Sequence, residues 1–394
     1  MELIRFLDNV EDTKPIIQQK GLLIGAHISD IHFGVTGLEP ITAYKILKEQ
    51  FIDVIKPLPI DYVAINGDLT DHKGMSSSDM IMYTIKFIDS LVEEVCKPKQ
   101  IPLIIIGGTF NHDANQLRLF YHYIDRIDVD VRIIESIQYT YIKNKNGYLS
   151  KVLCIPELYG IDESVYQHFL FENGLYDMCL MHGTIQGAVP KDEVGQGRLF
   201  HIQDFMNCMG PTIAGHVHGG GCFHKHFYYC GSPMSWRFDD DYRKGFLLSL
   251  HNLDTHQYYI HKELITSFRY ETINLDFMLN SDPKEIIDYM NKLKENEDID
   301  YIKITFEEEI SAATRQALSE YFRNKKDKVD FRYSQSDKIR EQQIKDAMEE
   351  NDKYKYIFDK TLTEFDKFAR YINEAEQSII VTAEELKQLL EEEF

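Results

Sequence analysis

Short apolar runs alternate with amphipathic segments over the first two thirds of the chain. The runs have the length of strands and carry few polar residues, which is typical of strands covered on both faces of a sheet. They are LLIGAHIS (22–29), DYVAING (61–67), IPLIIIGG (101–108), KVLCIPEL (151–158), YDMCLMHG (176–183) and PTIAGHVH (211–218). Apolar residues at helical spacing fill residues 43–55 and 78–95, between the first three runs. Strands that alternate with helices predict an α/β fold.

The pattern changes after the strand-like stretches KHFYYCGSP, GFLLSL and HQYYIHK, which have no helical segment between them. From residue 271 to 335 the order helix, strand, helix, strand predicts a small α+β module. Residues 336–394 begin with a highly charged stretch and continue with two amphipathic helices. We therefore divide the chain into an N-terminal extension (1–20), an α/β domain (21–270), the small module (271–335) and a linker with helices (336–394).

Composition narrows the class of protein. No apolar run approaches the length of roughly 18 residues that a transmembrane helix needs, and the first residues, MELIRFLDNVEDTK, lack the apolar core of a secretory signal. The six cysteines contain no CxxC pair and several lie in apolar runs, so we expect free thiols in a reducing compartment. These features favour a cytoplasmic protein that does not contact a membrane.

The 394-residue chain carries a formal net charge of −21 at pH 7, with the acidity leaning toward its C-terminal third. This charge argues against a surface that is basic overall, the usual electrostatic footprint of a nucleic-acid binder. It leaves room for a local basic groove, and divalent cations would offset the acids of a binding site. Charge is thus the strongest compositional argument against a DNA-binding function.

Residue types that bind metals follow the predicted strands at their carboxyl ends. They are Asp30 and His32 after the first run, Asp68 after the second, Asn111, His112 and Asp113 after the third, His182 after the fifth, and His216 and His218 after the sixth. Open α/β sheets place ligands at this edge. Asp-x-His and His-x-His spacing puts both side chains on one side of an extended segment. Carboxylate, amide and imidazole ligands without thiolate suit Mn, Fe or Zn.

A single histidine at a strand end is more often a hydrogen-bonded polar residue than a metal ligand. That explanation does not account for residues of this kind at the ends of several strands, so we predict a centre for two metal ions. Elsewhere the simpler explanation is sufficient. Strand alternation accounts for His201, His224 and His226 without a metal, and His27 is expected in the core or beside the ligands.

In the order DxH, GD, NHD, H and GHxH, the motifs between residues 30 and 218 resemble those of calcineurin-like metallophosphoesterases. Within that superfamily the chain resembles the SbcD-type double-strand-break repair nucleases of phages and bacteria. The segments GDLTDHKGMSS, GTFNHDANQL and YYCGSPMSWRFDDDYRKGFLL carry this closer resemblance. It implies an αββα sandwich for residues 21–270, a small α+β capping domain that binds DNA at 271–335, and C-terminal helices that bind a partner.

The resemblance also implies residue roles. One ion would be held by Asp30, His32 and His218 and the other by Asn111, His182 and His216, with Asp68 bridging the two. His112 would stabilise or protonate the departing oxygen, and Asp113 would orient His112. Two features depart from the family pattern. Asp71, followed by His72, stands where some relatives carry a second catalytic histidine, and residues 108–110 (GTF) precede Asn111 where GNHD is usual.

The implied activity is that of a DNA exonuclease and endonuclease which processes DNA ends with two divalent ions, expected to be Mn²⁺. Expected partners are an SbcC-type, SMC-like ABC ATPase gripped at the base of its coiled coil, double-stranded DNA ends, single-stranded DNA and a second copy of the chain. Apolar stripes in the C-terminal helices suit docking on a partner helix, and packing on their own domain is the alternative. They comprise Phe365, Phe368, Ile372, Leu386, Leu389 and Leu390.

Two other functions stay open at this point. The first is a phosphatase or small-molecule phosphodiesterase of the same superfamily. Protein phosphatases tend to carry GDxxDRG and NHE, whereas this chain has GDLTDHKG and NHD. The second is a scaffold that binds DNA ends or an ATPase without cutting, against which the full ligand set and His112 argue.

Overall fold

The computed structural model describes residues 20–71, 78–113, 116–189, 197–236, 238, 244–323, 325–332, 362–363, 366–367, 369 and 382. The strands are β1 (Leu22–Ile28), β2 (Tyr62–Asn66), β3 (Pro102–Ile106), β4 (Asp130–Ile134), β5 (Gln138–Lys143), β6 (Leu149–Ile155), β7 (Met178–His182), β8 (Thr184–Ile185), β9 (Leu199–Phe200), β10 (Thr212–Gly215), β11 (Gly221–His224), β12 (Phe227–Tyr229), β13 (Gly245–Asn252), β14 (Tyr258–Leu264), β15 (Tyr270–Asn274), β16 (Tyr301–Phe306) and β17 (Lys328–Phe331). The α-helices are α1 (Pro40–Leu47, continued through Lys48–Ile52 to Asp53–Ile55), α2 (Ser78–Leu91, continued through Val92–Cys96 to Lys97–Lys99), α3 (Phe110–Asp113), α4 (Glu163–Gln167, continued through His168–Glu172), α5 (Pro283–Glu297) and α6 (Ala312–Phe322). Short 3₁₀ helices lie at Gln116–Tyr123, Ile202–Phe205 and Asp276–Met278.

The first large sheet has the strand order β14-β13-β1-β2-β3-β4. Strands β1 to β4 run parallel, and β13 and β14 join them in antiparallel orientation. Every residue of β1, β2 and β3 is buried, which explains why these strands are nearly continuous apolar runs. Helices α1 and α2 pack apolar side chains such as Leu47 and Phe87 against the outer face of this sheet.

The second large sheet has the order β11-β12-β10-β7-β6-β5. Strands β6, β7, β10 and β12 are parallel, and β5 and β11 form antiparallel edges. The apolar pattern did not predict β4 or β5. Both lie at sheet edges and keep exposed positions, so their sequences alternate imperfectly instead of forming an apolar run.

The two sheets pack face to face, and their inner faces share one apolar cluster. Ile104 of the first sheet and Leu180 and Ile213 of the second belong to it. The outer face of the second sheet packs against α4 and its continuation, where Tyr166 and Leu170 are buried. The predicted αββα sandwich is therefore confirmed. All six cysteines are free thiols, as predicted, and Cys222 is the exposed one.

A third sheet, of order β15-β16-β17, and helices α5 and α6 form the predicted α+β elements after residue 270. The chain divides into two compact units, residues 1–273, 284–303 and 322–328 and residues 274–283, 304–321 and 329–394. Residues 1–19 of the N-terminal extension, His72 and almost all of the predicted C-terminal helical region lie outside the described residues. No helix in the described part of the chain is long and apolar enough to cross a membrane.

Candidate metal centre

Loops from both large sheets meet where their parallel strands end. The backbone N–H of His216, which follows β10, donates to both carboxylate oxygens of Asp30, which follows β1, at 2.9 and 3.1 Å. Asn66, the last residue of β2, donates from its side chain to the carbonyl of Ile213 in β10 at 3.1 Å. The predicted convergence of separate strand ends is thus present in the fold.

One group of ligand atoms comes from Asp30, His32 and His218, whose donors lie within 4.8 Å of one another. The Nε2 atoms of His32 and His218 are 3.0 Å apart, and Nε2 of His218 lies 3.9 Å from Oδ1 of Asp30. Asp30 and His32 are buried. Metal–nitrogen bonds of about 2.1 Å at a right angle place two ligand atoms about 3 Å apart. The two imidazoles therefore have the separation of neighbouring ligands on one ion.

A second group comes from Asp68, His182 and His216. Nε2 of His182 lies 3.4 Å from Oδ2 of Asp68, and Nε2 of His32 lies 3.8 Å from the same oxygen. Asp68 thus stands between the two groups, where a bridging ligand is expected. Nδ1 of His182 donates to the carbonyl of Asn66 at 2.7 Å. Because a carbonyl only accepts, Nδ1 carries a proton, and Nε2 is the nitrogen that faces the carboxylate and can bind a metal ion.

Burial and charge act against each other in this centre. Burial lowers the pKa of His32 to about 3 and outweighs the nearby Asp68 and Asp30. Burial alone would raise the pKa of Asp68, but His182 and His32 hold it well below its usual range. Burial alone would lower the pKa of His182, but Asp68 raises it. Ionised carboxylates beside imidazole nitrogens fit divalent cations, which take the place of a ring proton when they bind, so these residues fit two such ions.

His112 and Asp113 lie in α3, directly after β3. Nδ1 of His112 donates to the carbonyl oxygen of Asp71, and the His112 ring lies 4.7 Å from that of His32, centroid to centroid. His112, His32 and Asp71 also form a third group of close donors. The structure thus places His112, predicted as a catalytic residue, beside the first ligand group.

The expected contact between Asp113 and His112 needs correction. Oδ1 of Asp113 accepts from the backbone N–H groups of Leu69 and Thr70 at 3.0 and 3.2 Å, and Oδ2 accepts from Gly108 at 3.0 Å. Asp113 therefore fastens the loop after β2 to the end of β3. The contact that orients His112 comes instead from the backbone of Asp71, which side-chain motifs do not encode.

Asn111 has a different environment from the other predicted ligands. It is exposed and lies on the wall of an open cleft of about 690 Å³ that Tyr159 and His216 also line. Thr109 instead reaches the second group. Its N–H donates to Oδ1 of Asp68 at 2.6 Å, and its hydroxyl lies 3.2 Å from Oδ2 of Asp68. The residues inserted before Asn111 thus displace it toward solvent.

Glu157 is a functional candidate that the motifs missed. It follows β6, and its Oε2 lies 3.4 Å from Nδ1 of His216 and 3.6 Å from Nε2 of His182. Burial alone would raise the pKa of Glu157, but these histidines lower it to about 2, so the side chain is an anion. Its position at the carboxyl end of the apolar run 151–158 is the same signal that identified the other residues.

The segment after GHxH secures the loop that carries His218. The carbonyl of His218 accepts from the backbone N–H of Ser232 at 3.1 Å and from the buried Nζ of Lys244 at 3.0 Å. Ser232 belongs to the GSP triplet and Lys244 to the KG pair noted in the sequence. These residues therefore support a ligand loop whatever else the segment does.

The four other histidines considered in the sequence occupy positions expected without a metal. His201, His224 and His226 are exposed. His27 is buried, and its Nε2 lies 2.7 Å from the hydroxyl of Ser249. Strand alternation and core packing were thus sufficient explanations for them.

Comparison with known proteins identifies the family. Residues 26–255, which include every predicted ligand, match the family model for the calcineurin-like phosphoesterases. Among solved structures the chain is similar to "GAP50 the anchor in the inner membrane complex of Plasmodium", with 12% identity, 62% of this chain and 91% of that chain covered and a TM-score of 0.37. No curated protein matches the sequence. Because the family model covers more than half of the chain and its match contains the metal centre, this protein belongs to the calcineurin-like phosphoesterases and is a metal-dependent phosphoesterase.

Proposed function

We propose that this protein is the nuclease subunit of an SbcD-type complex and hydrolyses phosphodiester bonds at DNA ends with two divalent ions, Mn²⁺ in the cell. The observation that carries the proposal is the pair of ligand groups that adjoin at Asp68 with His112 alongside. The SbcD-like segments around Asp68, His112 and Lys244 favour this branch of the superfamily.

The metal ligands and His112 have separate roles in phosphate ester hydrolysis. Asp30, His32 and His218 would hold one ion, His182 and His216 the other, and Asp68 both. When bound, such a pair of ions supplies an activated water and neutralises charge on the phosphate oxygens. His112, fixed through Nδ1 on the carbonyl of Asp71, keeps Nε2 for exchanging a proton with the departing oxygen.

The cleft beside the centre suits a substrate with aromatic bases. Phe110 is 52% exposed on the cleft wall, and its ring centroid lies 6.2 Å from that of Tyr159. Exposed aromatic rings stack on nucleobases without sequence preference. We infer that the nucleotide next to the scissile bond enters this cleft, which supports a nucleic acid over a simple phosphate monoester.

The partner proposals follow from the same resemblance. An SbcC-type ATPase would bind the apolar stripes of the C-terminal helices, and two copies of the chain would form the nuclease dimer. Mixing the purified chain with a candidate ATPase and measuring the mass of the complex by light scattering tests both proposals. A monomer that forms no complex would argue against them.

Cleavage of linear DNA in Mn²⁺ tests the activity. We expect His112→Ala to slow cleavage by about 10²- to 10⁴-fold, the usual contribution of a proton-transfer residue, and Asp68→Ala to abolish it. His168→Ala provides the matched control because His168 is exposed and pairs with Glu172 at 3.0 Å. Hydrolysis of p-nitrophenyl phosphate without DNA cleavage would identify a phosphatase, and inactivity on both substrates would favour a scaffold.

A further inference from the structure

A buried carboxylate outside the motif set faces the second ligand group. The side chain of Glu157 is 5% exposed, and its Oε2 points between His182 and His216, at 3.6 and 3.4 Å. The backbone N–H of Glu157 donates to the carbonyl of Gly107 at 3.1 Å, which ties the end of β6 to the end of β3. The hydroxyl of Tyr159 donates to Oε1 at 2.8 Å. Glu157 is therefore held in place from both its backbone and its side chain.

Two buried carboxylates, Glu157 and Asp68, share one hydroxyl group beside the second ligand group. The hydroxyl of Thr109 lies 3.1 Å from Oε2 of Glu157 and 3.2 Å from Oδ2 of Asp68, but a hydroxyl donates only one proton. Nε2 of His182 faces both carboxylates, 3.4 Å from Oδ2 of Asp68 and 3.6 Å from Oε2 of Glu157, while its Nδ1 donates to a carbonyl. Buried acceptors that face one another are costly unless a cation lies among them.

The backbone explains why Asn111 does not occupy this place. Thr109, not an asparagine, follows Gly108, and it contacts Asp68 with its N–H and its hydroxyl. Asn111 comes two residues later, inside α3, and is exposed on the cleft wall. The position next to His182 is thus filled by Glu157, which follows β6 of the second sheet, and not from α3.

We propose that Glu157 is a ligand of the second metal ion, together with Asp68, His182 and His216, in place of Asn111. The proposal rests on the metal-dependent chemistry of the family and not on DNA as the substrate. Exchange of a neutral amide for a carboxylate adds one negative charge beside the ion, and such a charge attracts a cation strongly at ligand distance. The second ion is therefore bound more tightly than an asparagine would bind it.

Metal binding, rather than activity, provides the test. We expect calorimetric titration with Mn²⁺ to show two ions per chain for the parent and for Asn111→Ala. Glu157→Gln should bind the second ion at least about tenfold more weakly, the lower limit for removing even an outer partner of a ligand. Glu163→Gln is the matched control, because Glu163 is an exposed glutamate that pairs with Arg198 at 2.7 Å. Thermal denaturation in chelator verifies that each variant folds.

A crystal structure of the parent protein soaked in MnCl₂ tests the same ligand without any substitution. We expect a Glu157 oxygen at about 2.2 Å from the second ion, a usual metal–carboxylate distance. Full retention of the second ion by Glu157→Gln, its loss in Asn111→Ala, or a soaked ion with Glu157 beyond about 3 Å would each overturn the proposal. None of these outcomes depends on whether the protein cleaves DNA, so nuclease activity succeeds or fails separately.

Discussion

At the scale of the residue, the centre uses backbone conformations that side chains seldom adopt. Among the described non-glycine residues with positive φ, four belong to the ligand set: Asp30 (51°), His32 (52°), Asp68 (52°) and His216 (101°). Each such conformation costs on the order of 1–3 kcal/mol and persists only where its surroundings enforce it. Here the N–H groups of Asp30 and His32 donate to the carbonyls of Gly67 and Asp68 at 3.0 and 3.1 Å. These conformations bring the side chains of Asp30 and His32 into the same ligand group.

The first prediction concerns Asp113, whose carboxylate accepts three backbone N–H groups. In Asp113→Asn an amide N–H₂ would face some of those donors and leave them unsatisfied. Because an unsatisfied buried donor costs roughly 1–3 kcal/mol, we expect the free energy of unfolding to fall by that amount in urea titrations in chelator. His112→Ala should not change stability to the same extent. Equal stability of Asp113→Asn and the parent would contradict the anchoring role.

The second prediction concerns His251 of β13, which is 1% exposed. Burial, with a smaller contribution from His256, lowers its pKa from 6.5 to about 3. The folded protein therefore excludes a proton that the unfolded chain binds below its pKa of about 6.5. Stability due to this group is present above that pH and is lost as the pH falls toward 3, by about 1.4 kcal/mol per pH unit.

Substitution His251→Met should remove that dependence. We expect the free energy of unfolding of the variant to fall less steeply than that of the parent between about pH 6.5 and 4.5. Urea titrations in chelator at several pH values measure the difference without a contribution from metal binding. Parallel curves for the two proteins would show that His251 is not protonated on unfolding in this range.

At the scale of the element, close approach of strand ends brings the ligands together. A Cβ on Gly108, which follows β3, would lie 2.2 Å from the backbone N of Asp68 and 2.8 Å from Oδ2 of Asp113. The loops after β2 and β3 therefore touch through a position without a side chain. Gly67 provides a similar approach after β2, since a Cβ there would lie 2.2 Å from Nδ1 of His182. Gly67 and Gly108 are therefore required for the close packing of the loops that carry the metal ligands.

The third prediction follows from this contact. In Gly108→Ala the added methyl group displaces Asp68, so we expect weaker Mn²⁺ binding together with a loss of about 1–3 kcal/mol of stability from overpacking. Gly219→Ala is the control, because nothing lies within 4 Å of a Cβ built there and Gly219 follows the ligand His218 directly. Calorimetric Mn²⁺ titrations of both variants make the comparison. Equal loss of binding in the two variants would contradict the argument.

At the scale of the whole molecule, the net charge of −21 opposes the approach of DNA. Two divalent ions bound at the centre would neutralise only part of that charge, although they would do so where a substrate phosphate would lie. Nonspecific affinity from many phosphate contacts is therefore not expected of the isolated chain. On the proposed function, the ATPase partner supplies most of the DNA-binding surface, and this chain supplies the chemistry.

The fourth prediction concerns salt. Proteins with six to ten phosphate contacts lose about 10³- to 10⁵-fold in DNA affinity between 50 and 200 mM salt. We expect the isolated His112→Ala variant with Mn²⁺ to change its DNA affinity by less than about tenfold over that range, as measured by fluorescence anisotropy. A thousandfold fall in DNA affinity would reveal an extended basic groove. It would contradict the proposal that the ATPase partner supplies most of the DNA-binding surface.

The pattern of the sequence by itself predicted the α/β elements and most of the centre, and the resemblance to the calcineurin-like phosphoesterases added the sandwich. Parallel strands buried on both faces must be apolar along their whole length, and polar ligands can follow them only at their ends. For that reason β1, β2, β3, β7 and β10 were predictable together with Asp30, Asp68 and His182. Both signals are local in the chain, so a single sequence contains them. Edge strands β4 and β5 lack the continuous apolar run, because one side of each strand is exposed.

Only the tertiary structure decided which groups meet around the second ion and what holds His112. Glu157 comes from the other sheet, Thr109 lies where an asparagine was expected, and a backbone carbonyl of Asp71 orients the His112 ring. These contacts join residues about 40 or more positions apart in some cases, or use atoms that every residue possesses. Residue identity therefore predicts the kind of ligand, whereas the distance between strand ends decides which ligands reach the metal.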